Sequence, residues 1–309
     1  MTAAFGAAVF CVLNMIVETA FIGPLEFDIS YQDEFGDFCF EAPFRKKVWP
    51  YDSVSYKVSV RSVGKCGAAE SNRKLLVAET GEFDEFLNGN DILRCYYGNF
   101  NGERLCYARV RLHSQNITVM IDNRLVWPKG KVKAVWQFIM LEKLLARERA
   151  IILHSSSVVS GGRAILFSAP SGTGKSTQAD LWRKYDPEAA VLNGDRNLLI
   201  KNDNVWYVCG LPWHGSSNDC LNDLVPVAGM MLIEQGRENA ISEISPSGKF
   251  MRIYSETTQN GWDRTCAKRV INAVSGLIAD VPVCKFSCTK DESAVLCLKG
   301  WLNKKYGSI

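Results

Sequence analysis

An apolar run that passes straight into a glycine-rich turn and then into a helix restricts this chain more than any other stretch. Residues Ala164 to Gln178 read AILFSAPSGTGKSTQ. Gly172 and Gly174 allow the backbone to curl so that successive N–H groups converge, and the helix that follows adds its positive N-terminus. Such a turn suits the phosphates of a nucleoside triphosphate. Lys175 has the reach for the β and γ phosphates, and Ser176 has the hydroxyl that would ligate magnesium. The expected ligands are ATP and Mg2+, and the expected contacts are Ala169, Ser171, Gly172, Thr173, Gly174, Lys175, Ser176 and Thr177. The pattern G-x-x-x-x-G-K-[ST] fails only at its first position, where Ala169 stands. Gly-x-Gly-Lys-[Ser/Thr] arises by accident in roughly one chain in a hundred of this length. The bland alternative is a glycine-rich turn with a solvated lysine.

The chain has 309 residues, enough for two domains. With 47% apolar and 22% charged residues it has the composition of a folding sequence. The net charge of +3 gives no electrostatic case for nucleic acid. The 11 cysteines are scattered without a Cys-x-x-Cys pair, which reads as reduced thiols in a cytoplasmic protein rather than a zinc site. Ala3 to Val17 is apolar, but it lacks the positive leader of a signal peptide. Asn14 and Glu18 interrupt it before the about 20 apolar residues of a membrane helix are reached. Met15 as a start, or a buried helix, accounts for it better, and no membrane partner is expected.

Short alternating runs separated by turn residues fill residues 15–130, among them LEFDIS, FCFEA, SVSYKVSVRSV and NITVMID. This half reads as a β-rich accessory or substrate domain. Ala134 to Arg147 carries apolar residues at helical spacing, so residues 131–149 read as a linking helix. From residue 150 the pattern becomes α/β. It opens with a hairpin, Ile151 to Val159 and Arg163 to Phe167, around Gly161-Gly162. Strands follow at Ala189–Leu192, Leu198–Lys201 and Val205–Cys209, then a long loop from Gly210 to Pro226 and a strand at Val227–Ile233. Helices are expected at Phe250–Glu256 and Thr265–Ala279, and a strand at Val281–Phe286.

The segment ILHSSSVVSGGRAILFSAPSGTGKST, Ile152 to Thr177, resembles the nucleotide-binding core of HPr serine kinases and the phosphoenolpyruvate carboxykinase-like fold they share. The resemblance covers about residues 150 to 300. It implies an α/β, carboxykinase-like P-loop domain with a mixed sheet over residues 150–305, and an oligomer. In that family a His precedes the phosphate loop, and His154 falls at the corresponding place. AVLNGDRNLLI, Ala190 to Ile200, resembles the strand that ends in acidic residues beside the metal. HPr kinases show two adjacent Asp there, whereas Asp195 stands between Gly194 and Arg196. YVCGLPWHGSSNDC, Tyr207 to Cys220, is more like the HPr-kinase-like proteins that travel with peptide-modification genes.

The implied reaction is transfer of the γ-phosphate of ATP to a hydroxyl, on a Ser of a peptide or small protein or on a free Ser-like molecule. Candidate catalytic residues are His154, Lys175, Asp195, Arg196 and His214, with Ser176 and Asp195 as metal ligands. His154 is a proton acceptor or γ-phosphate holder, and Arg196 a phosphate clamp or a surface ion pair. In the loop after Gly210, His214 and Asp219 are further proton acceptors, while Trp213 packs beneath. Two competing readings remain. One is a non-catalytic nucleotide-binding module serving a peptide-modification system. The other is a carboxykinase, for which only Arg163, Arg183 and Arg196 are at hand.

Overall fold

The computed structural model describes residues 15–32, 42–66, 75–79, 81–124, 138–213 and 219–307. The protein is mixed α/β, and its described residues form two eight-stranded sheets. It divides into two compact units. The first contains residues 1–19, 27–39 and 56–132; the second contains residues 20–26, 40–55 and 133–309.

The first sheet is built from β1 (Met15–Ile22), β2 (Leu25–Gln32), β3 (Val54–Val63), β4 (Leu75–Glu79), β5 (Phe83–Asn88), β6 (Asp91–Phe100), β7 (Glu103–His113) and β8 (Asn116–Asp122). Their order is β1-β2-β3-β8-β7-β6-β5-β4, and β3 and β8 run parallel. The alternation read from the sequence sets the buried face: Cys106, Ala108, Val110 and Leu112 of β7 are buried at every second position. The β6–β7 hairpin turns on Asn101-Gly102, both at positive φ, as a tight antiparallel connection demands. Of the expected run FCFEA, only Ala42 is described, and it begins a short 3-10 turn, Ala42–Arg45. Residues 1–14 of the apolar leader also lie outside the described residues, whereas Met15 to Val17 open β1.

The second unit contains α1 (Leu141–Arg147), β9 (Ile151–Ser160), β10 (Arg163–Ser168), α2 (Lys175–Tyr185), β11 (Ala190–Asn193), β12 (Arg196–Asn202) and β13 (Val205–Gly210). After these come β14 (Leu224–Gln235), β15 (Ala240–Ser242), α3 (Pro246–Ser255), α4 (Arg264–Asp280), β16 (Val283–Cys288) and α5 (Glu292–Tyr306). β10 lies between antiparallel β9 and parallel β14. The first half of β9 pairs with β12 and the second with β10. The start of β14 likewise pairs with β13, and its remainder with β10 and β16. Together, β10, β9, β12, β13 and β14 therefore close a ring.

Period two divides the core into two layers. Ala164 and Leu166 of β10 join Met230 and Leu232 of β14 under α4, which contributes Val270, Val274 and Leu277. Ile165 and Phe167 face the other way, against Trp182 of α2 and Val295 and Leu298 of α5. Among the described residues no helix is long and apolar enough to cross a membrane.

Three details depart from the sequence reading. Of the helix expected over Ala134 to Arg147, residues 134–137 lie outside the described residues; Phe138 is helical, and a turn at Ile139 and Met140 separates it from α1. Met140 is left-handed, at φ 55°, which a continuous α-helix does not tolerate. The loop expected to reach Pro226 stops three residues earlier, at Asp223, because Leu224, Val225 and Pro226 pair with β13 inside β14. α5 and β15 were not expected at all.

Candidate functional site at the glycine-rich turn

The turn follows β10, and its shape comes from two glycines at positive φ, Gly172 at 78° and Gly174 at 117°. A side chain at either would be strained, since L-residues rarely adopt those angles. Ala169 is not among the positive-φ residues, and its methyl packs in the core cluster with Phe167 and Trp182. That is why the missing first glycine does not prevent the turn. Thr173 closes it, donating through N–H and Oγ to the Pro170 carbonyl at 3.3 and 2.8 Å. Lys175 opens α2, and its ammonium folds back to donate to the carbonyls of Ala169 at 2.7 Å and Pro170 at 3.3 Å. Only 7% exposed, its pKa is lowered, chiefly by burial, against the opposing pull of Glu256 and Asp195. Ser171 and Ser176 are exposed, and Thr177 is half-buried.

β9 brings a histidine to this turn. Ser168 at the end of β10 faces Ser155 across the ladder, and the Ser168 hydroxyl donates to the His154 carbonyl at 3.3 Å. The three serines that interrupt the apolar run of β9 are fully buried and each is satisfied. Ser156 donates to the Lys175 carbonyl at 2.9 Å, tying β9 to the first turn of α2. Ser157 donates to Asn197 Oδ1 at 2.6 Å, and Ser155 donates to the Leu153 carbonyl at 3.4 Å.

The imidazole of His154 lies between two carboxylates. Its Nδ1 is 2.8 Å from Glu256 Oε2, and its Nε2 is 3.5 Å from Asp195 Oδ1. The backbone holds the arrangement from both sides: His154 N–H donates to the Glu256 carbonyl at 2.9 Å, and Ser155 N–H to the Asp195 carbonyl at 3.0 Å. Asp195 is presented by a turn built on buried Asn193, whose Oδ1 accepts from the N–H groups of Asp195 and Arg196 at 2.8 and 2.9 Å. The hydrogen bond with His154 holds the Asp195 carboxyl below its usual range, and Arg196 and Lys175 add to the effect.

The remaining candidates are placed as follows. Arg196 braces Asp195 at 3.6 Å and donates to Thr258 Oγ1 at 2.8 Å, so it is an ion-pair partner of Asp195. Asp219 accepts from Arg183 at 2.6 Å. The Trp213 carbonyl accepts from Asn193 at 3.0 Å, and His214 lies outside the described residues. Glu256 and Asn193 were missed. Nothing local marks Glu256, which reaches the turn from 102 residues beyond His154 through the Leu153–Thr257 bridge.

A cavity of about 240 Å³ adjoins the turn, with Ser168, Ala169, Thr173, Glu234, Arg252 and Glu256 in its walls. Glu234, the next-to-last residue of β14, is held by Arg252 at 2.7 Å and Lys285 at 2.6 Å. Among the described residues no group of three or more His, Cys, Asp or Glu is arranged to hold a metal. Magnesium on a nucleotide takes most of its ligands from phosphate and water, with one or two carboxylates from protein. The hard oxygen donors of Asp195 and Ser176 suit that share. Comparison of the chain with protein-family models finds no match, and comparison with curated proteins finds none.

Proposed function

We propose that the protein is an ATP-dependent kinase that transfers the γ-phosphate to a hydroxyl, on a Ser of a peptide or small protein or on a free Ser-like molecule. One observation carries the reading: a buried lysine held by the carbonyls of a glycine-rich turn sits beside a histidine flanked by two carboxylates. The mixed sheet, with one parallel and one antiparallel neighbour for the turn-bearing strand, supports the carboxykinase-like P-loop fold of the HPr serine kinases.

In this reading the amides between Ala169 and Thr177, the start of α2 and the Lys175 ammonium balance the triphosphate charge. Magnesium, held by Asp195 and Ser176, would supply further neutralisation of phosphate oxygens. Glu256 accepts from Nδ1–H of His154; Nε2, which donates to Asp195 in the free protein, would become the basic nitrogen where Asp195 is committed to magnesium. His154 takes the acceptor's proton at Nε2 while the acceptor oxygen bonds to the γ-phosphorus and the bond to the bridging oxygen breaks. Glu256 then supplies the second carboxylate absent beside Asp195. The cavity edged by Glu256 admits the acceptor.

The carboxykinase alternative loses support from its arginines. Arg183 is engaged by Asp180 and Asp219, Arg196 by Asp195 and Thr258, and Arg163 lies 4.5 Å over the Tyr306 ring.

The test is a transfer assay with the purified chain, magnesium, ATP and a panel of hydroxyl acceptors. Lys175→Ala abolishes both ATP binding and transfer. Glu256→Gln keeps ATP affinity, lowers kcat about 100-fold and changes the acidic limb of the pH–rate profile. ATP binding without transfer to any acceptor would leave the non-catalytic module as the function.

A further inference from the structure

A second concavity of the second unit lies away from the glycine-rich turn. Its volume is about 970 Å³, and its lining includes Arg147 and Arg149 as well as Lys268 and Arg269 of α4. All four are exposed, and among the described residues none has an ion-pair or hydrogen-bond partner for its side chain. Lys201, also in the wall, is already neutralised by Asp280 at 2.8 Å. Glu148 and Asp203 are the opposing charges, and Asp203 is engaged by Tyr51 and Asn202. Lys201 lies five positions along β12 from Arg196, about 17 Å of strand.

Arg149 carries a second, independent sign. The Ala150 N–H donates to the Leu145 carbonyl and the Arg149 N–H to the Ala146 carbonyl, at 3.0 and 3.2 Å. These two bonds are the Schellman ending of a helix, and Arg149 occupies its left-handed position at φ 59°. Glycine is favoured there because a Cβ is strained. An arginine at this position keeps a charge at the expense of the backbone, a pattern typical of functional sites.

We infer that this groove docks an acidic segment of a partner protein. The cations come from two separate elements, Arg147 and Arg149 from α1 and its end and Lys268 and Arg269 from α4, and the α4 residues that line it run from Thr265 to Gly276, about 17 Å of helix. A compact phosphate would find no preorganised amides, since Asp263 already caps α4 by accepting from Cys266 N–H at 2.9 Å. Nucleic acid would find no stacking platform, because Trp206 is 4% exposed. Guanidinium groups pair with successive carboxylates, and the side-chain amides of Asn204 and Asn272 in the wall suit a peptide backbone. The inference is independent of the kinase reading.

Fluorescence anisotropy of a labelled glutamate-rich peptide of about eight residues, long enough to run the groove, tests this on the full chain. The expected result is salt-sensitive binding that weakens at least tenfold in Arg149→Gly and in the double variant Lys268→Glu/Arg269→Glu, and is unchanged in Lys304→Glu on α5. Arg149→Gly also raises the melting temperature by about 2–4 °C as the strain is relieved. No binding, equal binding of the glutamine counterpart, equal loss in Lys304→Glu, or unchanged affinity in Arg149→Gly would overturn the proposal. So would a lower melting temperature for Arg149→Gly, or tighter binding of tripolyphosphate or oligothymidylate than of the peptide.

Discussion

Asp195 shows how a single side chain here depends on its neighbours. Its hydrogen bond to His154, with Arg196 and Lys175 nearby, keeps its folded pKa below the ordinary value of 3.8. A lowered carboxylate pKa stabilises the folded state fully above the unfolded value, and that contribution fades as pH falls through the lower folded value. Wild type therefore exceeds Asp195→Asn in stability by a constant margin near neutral pH, and the margin closes below about pH 4. Urea unfolding of the two proteins at pH 7 and at pH 3 checks this; a margin unchanged at pH 3 would contradict it. The glycine-rich turn was legible because its chemistry is written in contiguous residues, from Ala169 to Thr177. The other half of the site was only partly legible. His154 and Asp195 could be named through a family resemblance, but Glu256 could not, since a helix-end glutamate has no local signature and gains its partner only through sheet closure. Asn193 was silent for the same reason: its role is to fix the turn under Asp195 through hydrogen bonds to the backbone of Leu211, Asp195 and Arg196.

Elements with clean periodicity were legible to within a few residues. The hairpin of β9 and β10, the helix after Lys175 and the long α4 all match the expected pattern. α5 was not read because exposed Leu296 blurs the stripe of buried Ala294, Val295, Leu298 and Leu302, although Asp291 caps its start by accepting from Ser293 N–H at 2.9 Å and Gly307 ends it at φ 86°. α2 holds the turn in place mainly through one residue. Trp182 is fully buried in the layer shared with Phe167, Val295 and Leu298. Trp182→Ala is expected to cost about 3–5 kcal/mol, read as a lower urea midpoint with little change in slope. A cost below about 1 kcal/mol would mean that α2 is not anchored by this packing.

At the scale of the whole molecule, the second unit draws on two stretches far upstream, residues 20–26 and 40–55. Within it, Asn222 donates to the carbonyls of Pro43 and Lys46 at 3.1 and 2.9 Å, and Tyr51 donates to Asp203 at 2.9 Å. Gly23 sits so close to Leu198 that an added Cβ would lie 2.3 Å from its side chain. A fragment of residues 138–307 is therefore expected to melt at least about 5 °C below the full chain, checked by circular dichroism; equal melting would show that these stretches are dispensable. Sequence could not reveal this interleaving, because carbonyl acceptors such as those of Pro43 and Lys46 leave no mark on residue type.

The five-strand ring has one more consequence. Among the described residues each of its members has a neighbour on both sides for part of its length, so these strands offer a foreign strand only short free stretches, such as Ile200 to Asn202 of β12. Stretches that short make poor templates, which disfavours association of copies of this unit by extension of one another's sheets.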